Sequence, residues 1–270
     1  MTDPETGRPV PPGVDVRRPS VARVYDYFLG GAHNFAVDRE LAERVQAMTP
    51  NVGETMRANR AFLRRGVRFL VAAGIRQFLD VGSGIPTVGN VHEVARAADP
   101  EVRVTYVDLD PVAVAHSAAI LGADRKVAVL RADLRDPDAI LAEVRRRGTL
   151  DLAQPLAVLL AGVVHFIPDA DHPADAVARL RAAMPAGSYL LLSHATLDGQ
   201  PDEVRQAQAL STQTSTEITL RPRARIAEYV EGLQLVDPGL VFVNAWRPEP
   251  DEVDDHPERI GAYGVVGRKG

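Results

Sequence analysis

Apolar residues fall at helical spacing through the first part of the chain. Residues 21–29 carry them at i, i+3, i+4, i+7 and i+8, which predicts an amphipathic helix ending at a glycine pair. Similar spacing predicts helices around 41–48 and over 52–73. Residues 20–74 are therefore expected to form an N-terminal helical cap. Residues 1–19 hold five prolines and few apolar side chains, and we predict a disordered tail there.

After Gly74 short apolar runs with β-branched residues alternate with helical periods. The predicted strands are 77–81, 102–108, 127–131, 156–161 and 189–193, and the helices between them are 86–98, 111–121, 137–147 and 173–184. Strict alternation predicts an α/β fold, a parallel sheet with helices on both faces. Further along, the pattern predicts helices at 202–213 and 222–232 and strands at 239–245 and 262–266.

Composition narrows the functional classes. The 270 residues are 46% hydrophobic and 25% charged, which is typical of a soluble globular protein. Cysteine is absent, which excludes disulfides, thiolate metal sites and a cysteine nucleophile. A net charge of −5 gives no broad positive field for nucleic acid or an acidic membrane. With no secretory signal near the start and no apolar run of about 18 residues, we expect a cytoplasmic protein without a membrane partner.

Polar and glycine residues follow the first predicted strand in the run Asp80-Val81-Gly82-Ser83-Gly84. Glycines at such a turn let a ligand approach the backbone. The third glycine of a dinucleotide-binding fingerprint is replaced by Thr87, preceded by Pro86, which disfavours a nicotinamide cofactor.

Three more polar sites follow the next three strands. Asp108 ends the second strand, where a carboxylate either accepts both ribose hydroxyls or is a structural strand-end group. Asp133-Leu134 follows the third strand, and the run 163–169 follows the fourth. All four sites lie at carboxyl ends of parallel strands, the edge at which open α/β sheets bind ligands.

The ordered motifs FLDVGSG, VTYVDLDP, RADLRDP, LLAGVVHFIPD and GSYLLLSHAT resemble class I S-adenosylmethionine-dependent methyltransferases over residues 75–270. The runs PSVARVYDYFLGGAHNFAVDRELAERV and MRANRAFLRRGVRFL are similar to an actinobacterial family of S-adenosyl methyltransferases of largely unassigned substrate. The resemblance implies a Rossmann-like seven-stranded sheet, mostly parallel, whose antiparallel last strand is inserted between its neighbours. It makes residues 75–270 the cofactor-binding domain. Separately, the polar character of residues 196–219 suggests the hypothesis that this excursion covers the pocket.

The resemblance also implies S-adenosyl-L-methionine as the cofactor. Its methionine part would lie at the first glycine loop, its ribose at the second strand end and its adenine at the third. The expected cofactor-binding residues are Asp80, Gly82, Gly84, Asp108, Leu109, Asp133, Leu134 and Ala161.

The acceptor is expected to be a small molecule, with a protein side chain as the less favoured alternative. Without cysteine, and without an Asn/Asp-Pro-Pro-aromatic run after the fourth strand, the usual routes to cytosine carbon and adenine nitrogen are missing. His165 and His194, at the ends of the fourth and fifth strands, are candidate general bases, with a structural role as the alternative. The candidate acceptor and cap residues are Tyr25, His33, Asn34, Arg60 and Phe166. On one hypothesis the helical cap closes over the cofactor and Arg60 binds an acidic group of cofactor or substrate; on the other, Tyr25 belongs to the core and the polar residues are caps. No ligand spacing indicates a metal site.

The expected activity is therefore methyl transfer by in-line displacement. Two alternatives stay open on the sequence: a non-catalytic regulator that binds the same cofactor, and a nicotinamide-dependent oxidoreductase.

Overall fold

The computed structural model describes residues 10, 14–86, 89–122, 124–201 and 218–270. Its sheet contains β1 (Gln77–Val81), β2 (Arg103–Asp108), β3 (Val127–Arg131), β4 (Ala157–Ala161), β5 (Tyr189–Ala195), β6 (Gln234–Leu235), β7 (Val241–Phe242) and β8 (Ala262–Arg268). The strand order is β3-β2-β1-β4-β5-β8-β6, and β7 pairs with β8 as well. Strands β1 to β5 pair in parallel, whereas β8 is antiparallel to β5, β6 and β7. The predicted Rossmann-like fold, with its antiparallel last strand between neighbours, is confirmed.

The edge beside β8 differs in detail from the prediction. It is shared by two strands of two residues each, so the described sheet has eight strands where seven were expected. The predicted strand 239–245 shortens to Val241–Phe242 and continues as a 3-10 turn at Val243–Ala245.

The described helices are α1 (Val21–Phe28), α2 (Ala36–Met48), α3 (Val52–Ala72), α4 (Val91–Arg96), α5 (Pro111–Leu121), α6 (Pro137–Arg147), α7 (Pro173–Ala183) and α8 (Arg223–Glu228). Apolar residues of α3 and α4 pack on one face of the sheet, and those of α6, α7 and α8 on the other. The third cap helix thus shares the core of the sheet, through Phe62, Val67 and Leu70 among others.

The helix predicted over 86–98 begins later, at Val91, which lengthens the loop after β1. Proline is favoured in the first turn of a helix, and for that reason Pro86 indicated a start. The chain instead begins the helix after Asn90, whose backbone N–H donates to Glu93 Oε2 at 3.1 Å. The predicted helix 202–213, and with it most of the excursion 196–219, lies outside the described residues. No described helix is long and apolar enough to cross a membrane.

Helices α1 and α2 pack on each other through Val24, Phe28 and Ala42. They are joined by an ion pair between Arg23 Nε and Asp38 Oδ2 at 2.7 Å, with both side chains fully buried. Ser20, just before α1, donates its hydroxyl to Asp110 Oδ2 at 2.7 Å. Asp110 caps α5, which follows β2, so this hydrogen bond attaches α1 and α2 directly to α5.

Part of the predicted tail is described. Val10 and Val14 are buried in a small cluster with Phe35 and Val112, and this cluster also connects the N-terminal segment to α5.

Candidate functional site

Asp80, the fourth residue of β1, is buried near the carboxyl edge of the sheet. Burial raises its pKa to about 7; the charge of Arg60 acts in the opposite direction, and that of Asp108 adds to the rise. An acid of this kind exchanges its proton in the physiological range, and its charged form gains most from a cationic partner.

Arg60 reaches the same place from α3 and is only 9% exposed. Its Nε is buried without a hydrogen-bond partner, and the guanidinium forms no ion pair within 4 Å with a described residue. The guanidinium carbon lies 5.6 Å from the ring centre of Tyr25. Since a buried charge without a counterion is costly, Arg60 and Asp80 together favour a ligand that brings both a carboxylate and an ammonium.

The loop after β1 follows a path that requires glycine. Gly82 and Gly84 have φ of +74° and +63°. A Cβ on Gly82 would lie 2.2 Å from Val163 Cγ2, so a larger residue would collide with the loop after β4. Gly82 therefore lets this loop pack closely on the loop after β4, whereas a Cβ on Gly84 would meet no described atom within 4 Å, which leaves space for a ligand there.

Asp108 connects this loop to the end of β2. Gly84 N–H donates to its Oδ2 at 2.7 Å, and Asp110 N–H donates to its Oδ1 at 2.9 Å. Burial raises the pKa of Asp108, although these backbone hydrogen bonds act against the rise. Each oxygen accepts one of these two hydrogen bonds, and a carboxylate has further lone pairs for additional donors.

Asp133, after β3, is held by Arg135. Oδ2 accepts from Nη2 at 2.6 Å and from Nε at 2.9 Å, and Arg135 Nη1 continues to Asp171 Oδ2 at 3.0 Å. Partial burial acts to raise the pKa of Asp133, but the Arg135 hydrogen bonds outweigh it and leave the pKa lowered. A ligand amino group at Asp133 has to share it with Arg135. Of the two leucines expected nearby, Leu134 is buried and Leu109 is 49% exposed.

A hydrogen-bonded chain joins α1, α3 and β5. Ser193 Oγ donates to Asn59 Oδ1 at 2.5 Å, Asn59 Nδ2 donates to Tyr25 Oη at 3.1 Å, and Tyr25 Oη donates to Met56 O at 3.1 Å. A Cβ on Gly162, after Ala161 of β4, would lie 3.1 Å from Asn59 Nδ2. Tyr25 is thereby held beside the ends of β4 and β5.

His165 and His194 lie together at those two strand ends, with ring centres 5.5 Å apart, and Phe166 lies 4.4 Å from His165. Nδ1 of His194 lies 2.7 Å from Ala195 O, and Nε2 lies 3.0 Å from Arg221 Nη1. Burial lowers the pKa of His194 to about 4 and that of His165 well below its ordinary value. With both ring nitrogens engaged, the geometry does not support His194 as a general base.

His33 and Asn34 have partners elsewhere. Both donate to Asp26 Oδ2, His33 through its backbone N–H at 2.8 Å and Asn34 through Nδ2 at 2.9 Å. The ring of His33 meets His116 of α5 edge to face at 5.5 Å. His33 therefore contributes to the contact between the cap and α5, whereas Asn34 stabilises the turn after α1.

Sequence reasoning missed Arg221. It follows an excursion without clear pattern and has no motif around it, yet it is buried and bonded to His194, Asp169 and the backbone after β4. Asn59 adjoins Arg60 in the sequence, but its link to Ser193 depends on a contact between residues 134 positions apart.

A family model described as S-adenosyl methyltransferase matches residues 8–270. A solved DUF574 family protein from Streptomyces avermitilis MA-4680 is 39% identical, with a TM-score of 0.87 over 95% of this chain and 99% of that one. A "putative methyltransferase" from Thermobifida fusca YX is 38% identical, with a TM-score of 0.86 over 96% and 97% of the two chains. The N-methyltransferase NodS from Bradyrhizobium japonicum WM9, in complex with S-adenosyl-L-homocysteine, is 12% identical with a TM-score of 0.50, over 80% of this chain and 87% of that one, a likeness of fold alone. No curated protein matches the chain.

Proposed function

The chain belongs to the S-adenosyl methyltransferase family, and from this premise we propose that it transfers the methyl group of S-adenosylmethionine to a small-molecule acceptor by in-line displacement. The observation that carries the assignment of the site is the pair Arg60 and Asp80. Both are buried at the carboxyl edge of the sheet, and the charge of Arg60 acts to lower the pKa of Asp80, yet neither forms an ion pair within 4 Å with a described residue. Membership of this family argues against the nicotinamide-dependent oxidoreductase that the sequence left open.

The residues present fit the cofactor. Its amino-acid end carries an ammonium, which suits Asp80, and a carboxylate, which suits Arg60. Asp108 would accept the ribose hydroxyls, and Asp133 the adenine amino group between the apolar Leu109 and Leu134. The remaining expected contacts are the backbone of Gly82, Gly84 and Ala161.

When bound, the cofactor supplies a methyl group already activated on a sulfonium. The protein then has to orient the acceptor and exclude water, and orientation of this kind lowers a barrier by up to about 7–11 kcal/mol. We assign the orientation to Tyr25 and Phe166, which border the ends of β4 and β5. His33 and Asn34 would act indirectly, by holding the cap in place.

A small acceptor is also favoured over nucleic acid. The most basic run of the chain, Arg145–Arg147, lies at the end of α6, where positive charge complements the helix dipole. Two of its arginines are paired with Glu143. That leaves no row of unpaired cations for phosphates in this run.

Calorimetry with S-adenosylmethionine, S-adenosylhomocysteine and NAD tests the assignment. We expect binding of both adenosyl ligands, no binding of NAD, and at least a tenfold loss with Asp108→Asn, which removes the charge that two ribose hydroxyls would contact (~1.5–3 kcal/mol). Asp138→Asn, at an exposed position on α6, is the matched control. Binding of NAD in place of the adenosyl ligands would refute the assignment, and turnover with an acceptor separates an enzyme from a regulator.

A further inference from the structure

His165 and His194, at the ends of β4 and β5, both contact the backbone of Ala195. The carbonyl oxygen of Ala195 lies 2.7 Å from Nδ1 of His194, and the N–H of Ala195 points to Nδ1 of His165 at 3.4 Å. A carbonyl only accepts and a backbone N–H only donates. His194 must therefore carry a hydrogen on Nδ1, whereas His165 must present a lone pair there.

Arg221 fixes the other nitrogen of His194. All five guanidinium N–H groups have partners: Nε and Nη2 donate to Asp169 Oδ1 at 3.0 and 2.7 Å, Nη2 also to Ile167 O at 2.8 Å, and Nη1 to Val164 O at 3.3 Å and His194 Nε2 at 3.0 Å. An arginine cannot accept, so Nε2 of His194 must hold a lone pair. Protonating it would place two N–H groups against each other in a buried site.

The same segment holds the loop that carries His165. Thr219 N–H donates to His165 O at 2.8 Å, while Arg221 binds carbonyls on both sides of that residue. With its Nδ1 accepting, neutral His165 carries its hydrogen on Nε2 and offers a donor. Phe166, 4.4 Å from the ring, restricts its rotation further.

From these hydrogen bonds we infer that His165 and His194 act as neutral imidazoles of fixed and opposite tautomer, and that the acceptor is a nucleophile whose lone pair is free at neutral pH. The class comprises aromatic ring nitrogens and weakly basic amines, as opposed to alcohols and ordinary phenols, which need a base. His165 is then a positioning residue that donates a hydrogen bond. This inference rests on the proposed methyl transfer.

The surrounding charges act in the same direction. His165 is faced by His194 and Arg221, and both disfavour a positive charge on its ring. His194 is faced by Arg221, by Asp169 and by Tyr229, whose ring stacks on it at 5.9 Å. The hydrogen bond to Ala195 O and the charge of Asp169 act to raise the pKa of His194, but burial outweighs them, and the Asp169 oxygen is already bound by Arg221. At this edge Tyr25, too, is engaged, since its hydroxyl donates to Met56 O.

Such an acceptor needs no base for the transfer to balance. The nitrogen lone pair forms the bond to the methyl carbon while the electron pair of the carbon–sulfur bond stays on sulfur. The positive charge passes from sulfur to nitrogen, and any N–H proton leaves to water afterwards.

Nitrogen-15 spectra of histidine-labelled full-length protein with S-adenosylhomocysteine, recorded from pH 5.5 to 8.5, test the inference. We expect His165 with hydrogen on Nε2 and His194 with hydrogen on Nδ1, both neutral throughout, with assignments from His165→Gln and His194→Gln. A ring that gains a proton between pH 6 and 8, or a His165 hydrogen on Nδ1, would overturn it. Calorimetry on the same samples reports cofactor binding separately, so failure of the proposed function is recognised independently.

Arg221→Met supplies a second comparison. It frees Nε2 of His194 and removes a neighbouring positive charge, so the protonation midpoint of His194 should rise by about one pH unit or more from a pKa of about 4. Spectra of this variant and of the wild type are therefore extended down to about pH 4.5 for this comparison. Arg225→Met, four residues later and paired with the exposed Glu228, should leave both spectra unchanged. In a turnover assay, the formation of S-adenosylhomocysteine from S-adenosylmethionine with aromatic nitrogen compounds as acceptors supports the acceptor class. Its formation with hydroxyl compounds alone overturns the inference. If Arg221→Met does not fold, the wild-type spectra still decide.

Discussion

Replacing Arg60 by methionine should weaken binding of S-adenosylhomocysteine without affecting a ligand that lacks the amino-acid end. Arg60 is 9% exposed and has an unpartnered Nε, so a carboxylate bound there would gain a buried, charge-assisted contact. Such hydrogen bonds contribute about 1.5–3 kcal/mol. At 1.4 kcal/mol per tenfold change, the dissociation constant should rise by roughly 10- to 150-fold. Methionine keeps most of the aliphatic length and limits the packing loss.

The assay is calorimetry at pH 7.5 with S-adenosylhomocysteine and with 5′-deoxy-5′-methylthioadenosine, which has the same nucleoside but neither carboxylate nor ammonium. Affinity for the second ligand should stay within about twofold, because the loss is confined to the missing charge contact. Arg57→Met, one turn earlier on α3 at an exposed position, is the matched control. Equal weakening of both ligands by Arg60→Met, or weakening of neither, would refute the reasoning.

Four further predictions concern Asp80, Asp38 and the first glycine loop. Only the charged form of Asp80 attracts an ammonium, so affinity for S-adenosylhomocysteine should rise with pH through about 7 and lose this dependence in Asp80→Asn. Burial raises the pKa of Asp80 in the folded protein above its unfolded value. The wild type should therefore lose stability relative to Asp80→Asn as the pH rises from about 4 to 7, by up to about 4 kcal/mol in urea unfolding. Parallel pH profiles of the free energy of unfolding for the two proteins would contradict this. Asp38→Asn breaks a fully buried ion pair and should cost about 3–5 kcal/mol, against less than about 0.5 for the exposed Asp138→Asn. Gly82→Ala should destabilise by about 1–3 kcal/mol more than Gly84→Ala, since both have positive φ but only Gly82 faces Val163; equal melting temperatures would contradict the collision.

Helix boundaries were predictable where the signals are local. Asp110 with Pro111 begins α5, and Asp136 with Pro137 begins α6, in each case at the predicted residue. The start of α4 was wrong because two local signals compete, Pro86 and the Asn90–Glu93 box, and spacing alone does not rank them.

Strand β6 could not be predicted, because it has only two residues and both are exposed. Its identity as a strand depends on pairing with Gly267 and Arg268, more than thirty residues later. Such pairing is a tertiary event that leaves no periodicity in the segment itself.

The candidate site divides in the same way. The carboxylates Asp80, Asp108 and Asp133 could be placed at one edge, because parallel strands all end on the same side. Which charges find partners there could not be predicted: Arg135 is neutralised by Asp133, whereas Arg60 has no ion pair with a described residue. The histidine tautomers are even harder to predict from the sequence, because that of His194 depends on Arg221, 27 positions away.

The position of β8 has a consequence for biosynthesis. This strand pairs with β5 along seven residues, yet it emerges from the ribosome about 70 residues after β5 does. At roughly 5–20 residues per second, the backbone edge of β5 waits about 4–14 s for its partner. During that interval an unpaired apolar edge is open to neighbouring nascent chains. The yield of native protein should therefore depend on translation speed and on chaperones that shield this edge.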